Sequence, residues 1–254
     1  CSADRELCRL TFRQAAVMLV DAFVAQTSAV EGACGDAVRC QPLSDREYML
    51  ALSDGMGTGA RAALESNATL QLLERFHEAG FSEDVIFQTI NQVLLLRSTG
   101  EMYATVDLCL LDLVEGEARF IKIGAAPSYI LRRGQAIAIQ TPSLPLGILD
   151  EVQPASLKRV LQEGDMLVMV SDGLCGEEDW LEGLLPTLEG CTPKELCGEV
   201  LLAAAERGLE VDDRTVMAVR IACPEPGSLE AVKRRRLQRW KARVAVDMDA
   251  STGA

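Results

Sequence analysis

The chain has a single histidine, His77, among its 254 residues. That scarcity removes whole classes of chemistry. Ser-His-Asp and Cys-His catalysis would both have to run through His77, and a histidine-rich zinc site is excluded. Its setting, Leu72-Leu73-Glu74-Arg75-Phe76-His77-Glu78, reads as the polar face of a helix and predicts a plain surface role. Long apolar runs are missing too. None approaches the roughly 18–20 residues that span a bilayer, and the stretch 15–23 is short and broken by Asp21. A basic start followed by an apolar segment and a cleavage site is absent, so no signal peptide is expected. The first residue is Cys1 rather than Met, which reads as a piece of a longer protein. The nine cysteines include no C-x-x-C pair. Small apolar fillers in a reduced interior suit them better than disulfides or zinc.

Positive charge is also in short supply, with 25 Lys and Arg against 38 Asp and Glu, a net charge of −13. Residues 225–254 carry seven basic and four acidic side chains, so residues 1–224 hold a net −16. Such an acidic body argues against nucleic acid as a partner. The basic stretch from Lys233 to Arg243 reads as a tail that follows the folded domain. The chain therefore divides into a domain over 1–223 and a basic C-terminal helix or disordered tail over 224–254.

One phrase occurs twice: an apolar, strand-like run that ends in Ser-Asp-Gly. The copies are Tyr48-Met49-Leu50-Ala51-Leu52-Ser53-Asp54-Gly55 and Met166-Leu167-Val168-Met169-Val170-Ser171-Asp172-Gly173. Each delivers a carboxylate where a buried strand stops, and the glycine predicts a sharp turn with an exposed carbonyl. Two such ends side by side would cluster hard oxygen donors of the kind that bind Mg²⁺ or Mn²⁺.

Around these phrases, residues 7–26 alternate as strands in two pieces about Arg13-Gln14, and 37–41 forms a hairpin with the first phrase, placing Asp36 near Asp54. Helices are expected over 60–79, with an apolar stripe of Ala63, Leu64, Leu70, Leu73 and Phe76, and over 83–97 after Ser82 as N-cap. Strands follow over 102–113, 117–123, 128–133, 135–140 and 156–161, then the second phrase, helices over 177–185 and 193–207, and a last strand over 215–222. This order suits an α+β fold of paired antiparallel sheets with helices on their outer faces, rather than βαβ units.

Asp36, Asp54, Asp172 and the pair Asp212-Asp213 all end strands or lie in turns beside them. A turn aspartate commonly caps backbone amides; four together, two in matching contexts, point instead to a metal centre. The run Gly55-Met56-Gly57-Thr58-Gly59 has the air of a dinucleotide loop, but its third glycine falls one place early and Asp54 would oppose a pyrophosphate.

Taken together, Cys34-Gly35-Asp36, the run Ser53 to Ala62, Glu65-Ser66-Asn67, Thr105-Val106-Asp107-Leu108, Gly124 to Ser128, Leu144 to Ile148, Ser171-Asp172-Gly173 and Asp212-Asp213-Arg214-Thr215 resemble the metal-dependent PPM (PP2C-like) Ser/Thr protein phosphatases, and among them the phosphatase domains of sporulation proteins. The resemblance covers roughly 33–221 and implies a four-layer α/β/β/α sandwich of two antiparallel sheets flanked by helix pairs, as a PPM-type domain over 1–223. It implies two Mn²⁺ or Mg²⁺ ions, with Asp54 bridging them, Asp36 and the Gly55 carbonyl on one, and Asp172 and Asp212 on the other. Asp213 is the alternative to Asp212. Asp54 and Asp172 are the residues on which catalysis is expected to depend. Many eukaryotic members carry a histidine after the Asp-Gly pair, where this chain has Met56, and Arg39 and Arg61 are the candidates to grip phosphate. The implied substrate is the phosphoserine of a phosphorylated anti-anti-sigma factor, whose dephosphorylation controls activation of a sporulation sigma factor. A homodimer and upstream regulatory and membrane segments of the same chain are implied as further partners, with this domain in the cytoplasm. A catalytically weak relative serving as a binding or sensing module is the rival reading; a metal-dependent phosphodiesterase is disfavoured by the acidic surface.

Overall fold

Apolar runs with no polar face need cover on both sides, and this requirement sets the architecture. The computed structural model describes residues 18–30, 32–97, 103–152, 154–176 and 179–223. The expected strand piece before residue 18 and the tail over 224–254 lie outside them. In chain order the elements are β1 (Leu19–Thr27), β2 (Asp36–Pro42), β3 (Glu47–Asp54), α1 (Ala60–Glu78), α2 (Glu83–Arg97), β4 (Val106–Asp112), β5 (Glu117–Ile123), β6 (Ser128–Arg132), β7 (Gln135–Ile139), β8 (Ala155–Val160), β9 (Met166–Val170), α3 (Trp180–Leu184), α4 (Pro193–Glu206) and β10 (Arg214–Ala222). One antiparallel sheet runs β1-β10-β9-β6-β7 and the other β2-β3-β4-β5-β8.

Three apolar layers hold the sandwich together. Between the sheets, Leu50, Cys109, Leu111 and Phe120 meet Ile130, Leu167, Met169, Met217 and Val219. Outside the second sheet, Leu70, Leu73, Ile86, Phe87 and Ile90 of α1 and α2 cover Met49, Ala51, Leu108 and Ile121. Outside the first, Leu196, Val200 and Ala204 of α4 cover Val168, Val170, Val216 and Ala218. Strand alternation sends Leu167 and Met169 inward and Met166, Val168 and Val170 to the helices. All five residues of β9 are therefore buried, and the second phrase reads as an unbroken apolar run. The α/β/β/α sandwich implied by the resemblance is the one observed.

Local chemistry sets the element ends. Thr192 and Glu195 form a reciprocal capping box at the start of α4, with Pro193 in the first position. Arg133 and Gly134, at φ 50° and 70°, make the two-residue turn that joins β6 to β7, and its mirror-image twist suits a hairpin.

The structure corrects several details. Leu64 is 73% exposed, whereas Ala62, Glu65, Ser66 and Thr69 are buried. The first half of α1 thus turns a partly polar line inward, because it packs on the Gly35–Asp36 turn: Ser66 Oγ donates to the Gly35 carbonyl at 2.6 Å. Val85 on α2 is likewise half-exposed. The helix expected over 177–185 is the short α3, continued by a 3-10 segment, Leu185–Leu188, that Pro186 begins. A 3-10 turn at Asp172–Leu174 had no sequence signal. His77 is largely buried rather than a free surface residue, with Nε2 3.3 Å from Glu47 Oε2. Among the described residues no helix is long and apolar enough to cross a membrane.

Gly55 and Gly173 are not at positive φ, so neither is there for a sharp turn. Each is there for space. A Cβ on Gly55 would lie 2.2 Å from the Ala62 carbonyl oxygen, and one on Gly173 2.1 Å from that of Asp213. Gly198, exposed in α4, would meet nothing within 4 Å. Gly55→Ala and Gly173→Ala should each destabilise the fold by about 2 kcal/mol or more, while Gly198→Ala should stabilise it by about 0.5–1 kcal/mol. Denaturant titration of the three variants checks the contrast.

Candidate active site

Asp36 opens β2 and Asp54 closes β3, and the two stand directly opposite in the antiparallel register. On the other sheet, β9 ends at Val170 and hands Asp172 to the 3-10 turn, while Asp212 and Asp213 immediately precede β10. The pairing of β9 with β10 continues past Val170, since Ser171 N–H donates to the Thr215 carbonyl at 3.0 Å and Thr215 N–H to Ser171 Oγ at 2.8 Å. Each sheet therefore brings its acids to the same end of the sandwich.

Polar bonds across the gap lock the Asp36 side. Thr215 Oγ1 donates to Asp36 Oδ2 at 2.6 Å, and Gln26 Nε2 donates to Thr215 Oγ1 at 3.0 Å and to the Asp36 carbonyl at 3.2 Å. Asp213 is buried, with its two oxygens accepting the amides of Ala29 at 2.7 Å and Gly35 at 2.6 Å. It behaves as the capping aspartate of a turn. Asp212 remains partly exposed and accepts only the Asp213 amide, at 2.8 Å, in the described structure. Asp54 N–H donates to Thr105 Oγ1 at 3.0 Å and its carbonyl accepts Thr105 N–H at 2.9 Å, which pins the strand end.

The electrostatics follow from that crowding. Burial, then the charges of Asp172, Asp36 and Asp212, pushes the Asp54 carboxyl up to about 9. Burial raises Asp36 to about 6 against the lowering hydrogen bonds of Thr215 and Ser171. Asp172 is raised by burial and by Asp212. Among the described residues no three Asp, Glu, His or Cys side chains close around a common centre. Even so, the set fits a hard divalent cation. Its donors are all oxygens, and Asp36 Oδ1 is buried without a hydrogen-bond partner.

The same surroundings exclude other nucleophiles. Burial pushes the thiols of Cys34 and Cys175, which flank the acids, up to about 11, so neither is a thiolate at neutral pH. His77 contacts Glu47 at the far end of β3, roughly 23 Å of strand from Asp54. Arg39 is engaged by Glu74 at 3.3 Å, and Arg61, 72% exposed, by Glu65 at 3.2 Å. Neither is brought into the acidic cluster by these contacts. The sequence reading quoted Ser171, Thr215 and Thr105 without giving them roles, and it passed over Gln26. For Ser171 and Thr215 the signal was position, since each lies in a phrase that carries a candidate acid; Thr105 and Gln26 had none.

Comparison with known proteins gives the arrangement a lineage. A family model described as stage II sporulation protein E matches residues 44–222. The stage II sporulation protein E of Bacillus subtilis (strain 168) is 37% identical over 196 residues, covering 74% of this chain and 24% of that protein. The chain thus spans about a quarter of that relative's length. A solved structure of the PP2C phosphatase domain and a fragment of the regulatory domain of the cell fate determinant SpoIIE from Bacillus subtilis superposes with a TM-score of 0.75 at 36% identity. The match covers 82% of this chain and 65% of that one. The catalytic domain of the serine/threonine phosphatase PstP, solved in complex with two manganese ions, shares the fold at a TM-score of 0.63 and 21% identity, over 81% of this chain and 99% of that one. On both the sequence match and the fold, the chain belongs to the stage II sporulation protein E family, whose phosphatase domain is of the PP2C type.

Proposed function

We propose that this domain is a Mn²⁺- or Mg²⁺-dependent protein serine/threonine phosphatase. The observation that carries the reading is the placement of the acids: Asp54 stands directly opposite Asp36 and lines one cleft with Asp172, an all-oxygen set of the kind that hard cations bind. Asp36, Asp54 and the Gly55 carbonyl from one sheet, with Asp172 and Asp212 from the other, would together hold the two ions. Bound there, the ions would supply an acidified water and neutralise charge on the phosphoryl oxygens. The chain's own part is placement. Asp213 and Thr215 fix Asp36, Thr105 fixes Asp54, and the start of β10 fixes Asp172 through Ser171. With both nearby thiols protonated and His77 at the wrong end of β3, none of these three competes with water as the nucleophile. Met56 offers no proton to the leaving alkoxide, so that proton comes from solvent.

Membership of a sporulation family supports a phosphoserine on a phosphorylated anti-anti-sigma factor as substrate, with sigma-factor activation as the outcome. Regulatory and membrane segments of the same chain, a cytoplasmic setting for this domain and a homodimer belong to the same reading, since the solved relative carries a fragment of a regulatory domain beside its phosphatase domain.

Hydrolysis of an aryl phosphate, and then of a phosphorylated anti-anti-sigma protein, should require Mn²⁺ and be abolished by chelation. Asp172→Ala and Asp54→Asn should each lower the rate by more than about 100-fold. A Mn²⁺-bound parent that turns over neither substrate would support the binding-module reading instead. Proton linkage gives a second check. Asp36 and Asp54 keep their protons in the fold, to about 6 and about 9, where the unfolded chain has released them. Their contribution to stability is therefore complete below about pH 4 and is lost as pH rises through those values. In thermal melts the metal-free midpoint should fall between about pH 5 and pH 8.5, and added Mg²⁺ should raise it more at the higher pH.

A further inference from the structure

A second polar contact joins the two sheets beneath the same cleft. Asp107 in β4 and Lys122 in β5 are cross-strand partners in the second sheet, and Ser128 opens β6 in the first. Lys122 is fully buried. Its Nζ donates to Asp107 Oδ2 at 2.5 Å and to Ser128 Oγ at 2.8 Å, and Ser128 Oγ donates to the same Asp107 oxygen at 2.5 Å. Asp107 Oδ1 is buried without a partner. Asp107 also lines a narrow cleft with Asp54, Thr105, Ala126 and Asp172, so the knot lies against both halves of the acidic site.

Burying a charged pair in place of apolar side chains of similar size is generally neutral or unfavourable for stability. What such a pair does supply is a fixed geometry. The acidic site needs one, because Asp54 and Asp172 are delivered by different sheets. On the Asp36 side Thr215 and Asp213 tie the sheets together. On the Asp54–Asp172 side the tie is Ser128 with the Asp107–Lys122 pair.

We propose that Lys122, Asp107 and Ser128 are positioning residues that hold the two halves of the carboxylate site at the spacing a pair of divalent ions requires. The proposal rests on the metal-dependent reading above. Ser128 is the arm that crosses the gap. Lys122 and Asp107 are its anchor, and the covering loop is tied to that anchor because Ser143 Oγ donates to the Lys122 carbonyl at 3.0 Å and accepts Gly124 N–H at 3.0 Å. None of the three touches the reacting atoms.

The test uses the 254-residue chain with Mn²⁺ titrated by calorimetry, beside metal-free thermal melts and kinetics on a phosphoprotein. Ser128→Ala cuts the arm and leaves the ion pair in place. The double variant Asp107→Leu/Lys122→Met replaces the anchor with apolar groups of similar size and carries the same readout should Ser128→Ala fail to fold. Expected for either folded variant is a Mn²⁺ Kd raised about 10-fold or more, a nearly unchanged metal-free midpoint, and a rate that recovers as Mn²⁺ approaches saturation. Folded variants that bind Mn²⁺ within about 2-fold of a parent that binds and hydrolyses would overturn the proposal alone. A parent that neither binds Mn²⁺ nor hydrolyses would overturn the phosphatase reading and this proposal together.

Discussion

The crowding of carboxyls at one end of the sandwich is the constraint on which the rest of this structure depends. Asp36 and Asp54 come from one sheet, and Asp172 and Asp212 from the other. The sheets are held face to face by an apolar layer that has no directional preference of its own. Hydrophobic contact alone would let the sheet ends spread to relieve repulsion. The polar bonds crossing the gap are directional and sit where spreading would begin: Thr215 to Asp36, Asp213 to the Gly35 amide, and the buried Lys122 knot. Stability and site geometry thus come from different interactions, the first from three apolar layers and the second from a few hydrogen bonds.

The recurrence of Ser-Asp-Gly has the same logic. In each copy the glycine lets a neighbouring carbonyl approach to a distance no side chain permits, that of Ala62 in the first and that of Asp213 in the second. The first contact seats α1 on the end of β3. The second seats the start of β10 on the 3-10 turn that carries Asp172. Each phrase is thus a strand end, a carboxylate and a docking notch for the next element, and what docks differs between them.

Much of this was legible in the sequence. The antiparallel pairing of Asp36 with Asp54, the doubly covered strand before Asp172 and the two helices after Gly59 all follow from patterns that span a few residues. Less legible were features set by partners far along the chain. The stripe on α1 was misplaced because its first half packs on a turn that takes Ser66 and Thr69 in preference to Leu64, and periodicity weighs only apolarity. The burial of Asp213 beside a more open Asp212 had no local signal, since its partners are the amides of Ala29 and Gly35, more than 170 residues away in sequence. Lys122 carried a signal that went unread. A lone lysine in the run Phe120-Ile121-Lys122-Ile123, with Asp107 opposite it in the next strand, is a buried charge announcing its partner.

The scarcity of histidine, which at first only excluded reactions, also says where protons can move. Cys34 and Cys175 hold theirs to about 11, so neither serves as an acid at neutral pH. At the site, the carboxyls of Asp36 and Asp54 are pushed up to about 6 and about 9, and a cation taking their place would displace their protons. On the metal-dependent reading, completing the site and clearing its protons would be the same event. Anything that shifts the spacing of the two sheet ends acts on both at once, and the cross-sheet bonds are accordingly as close to the chemistry as the acids they hold.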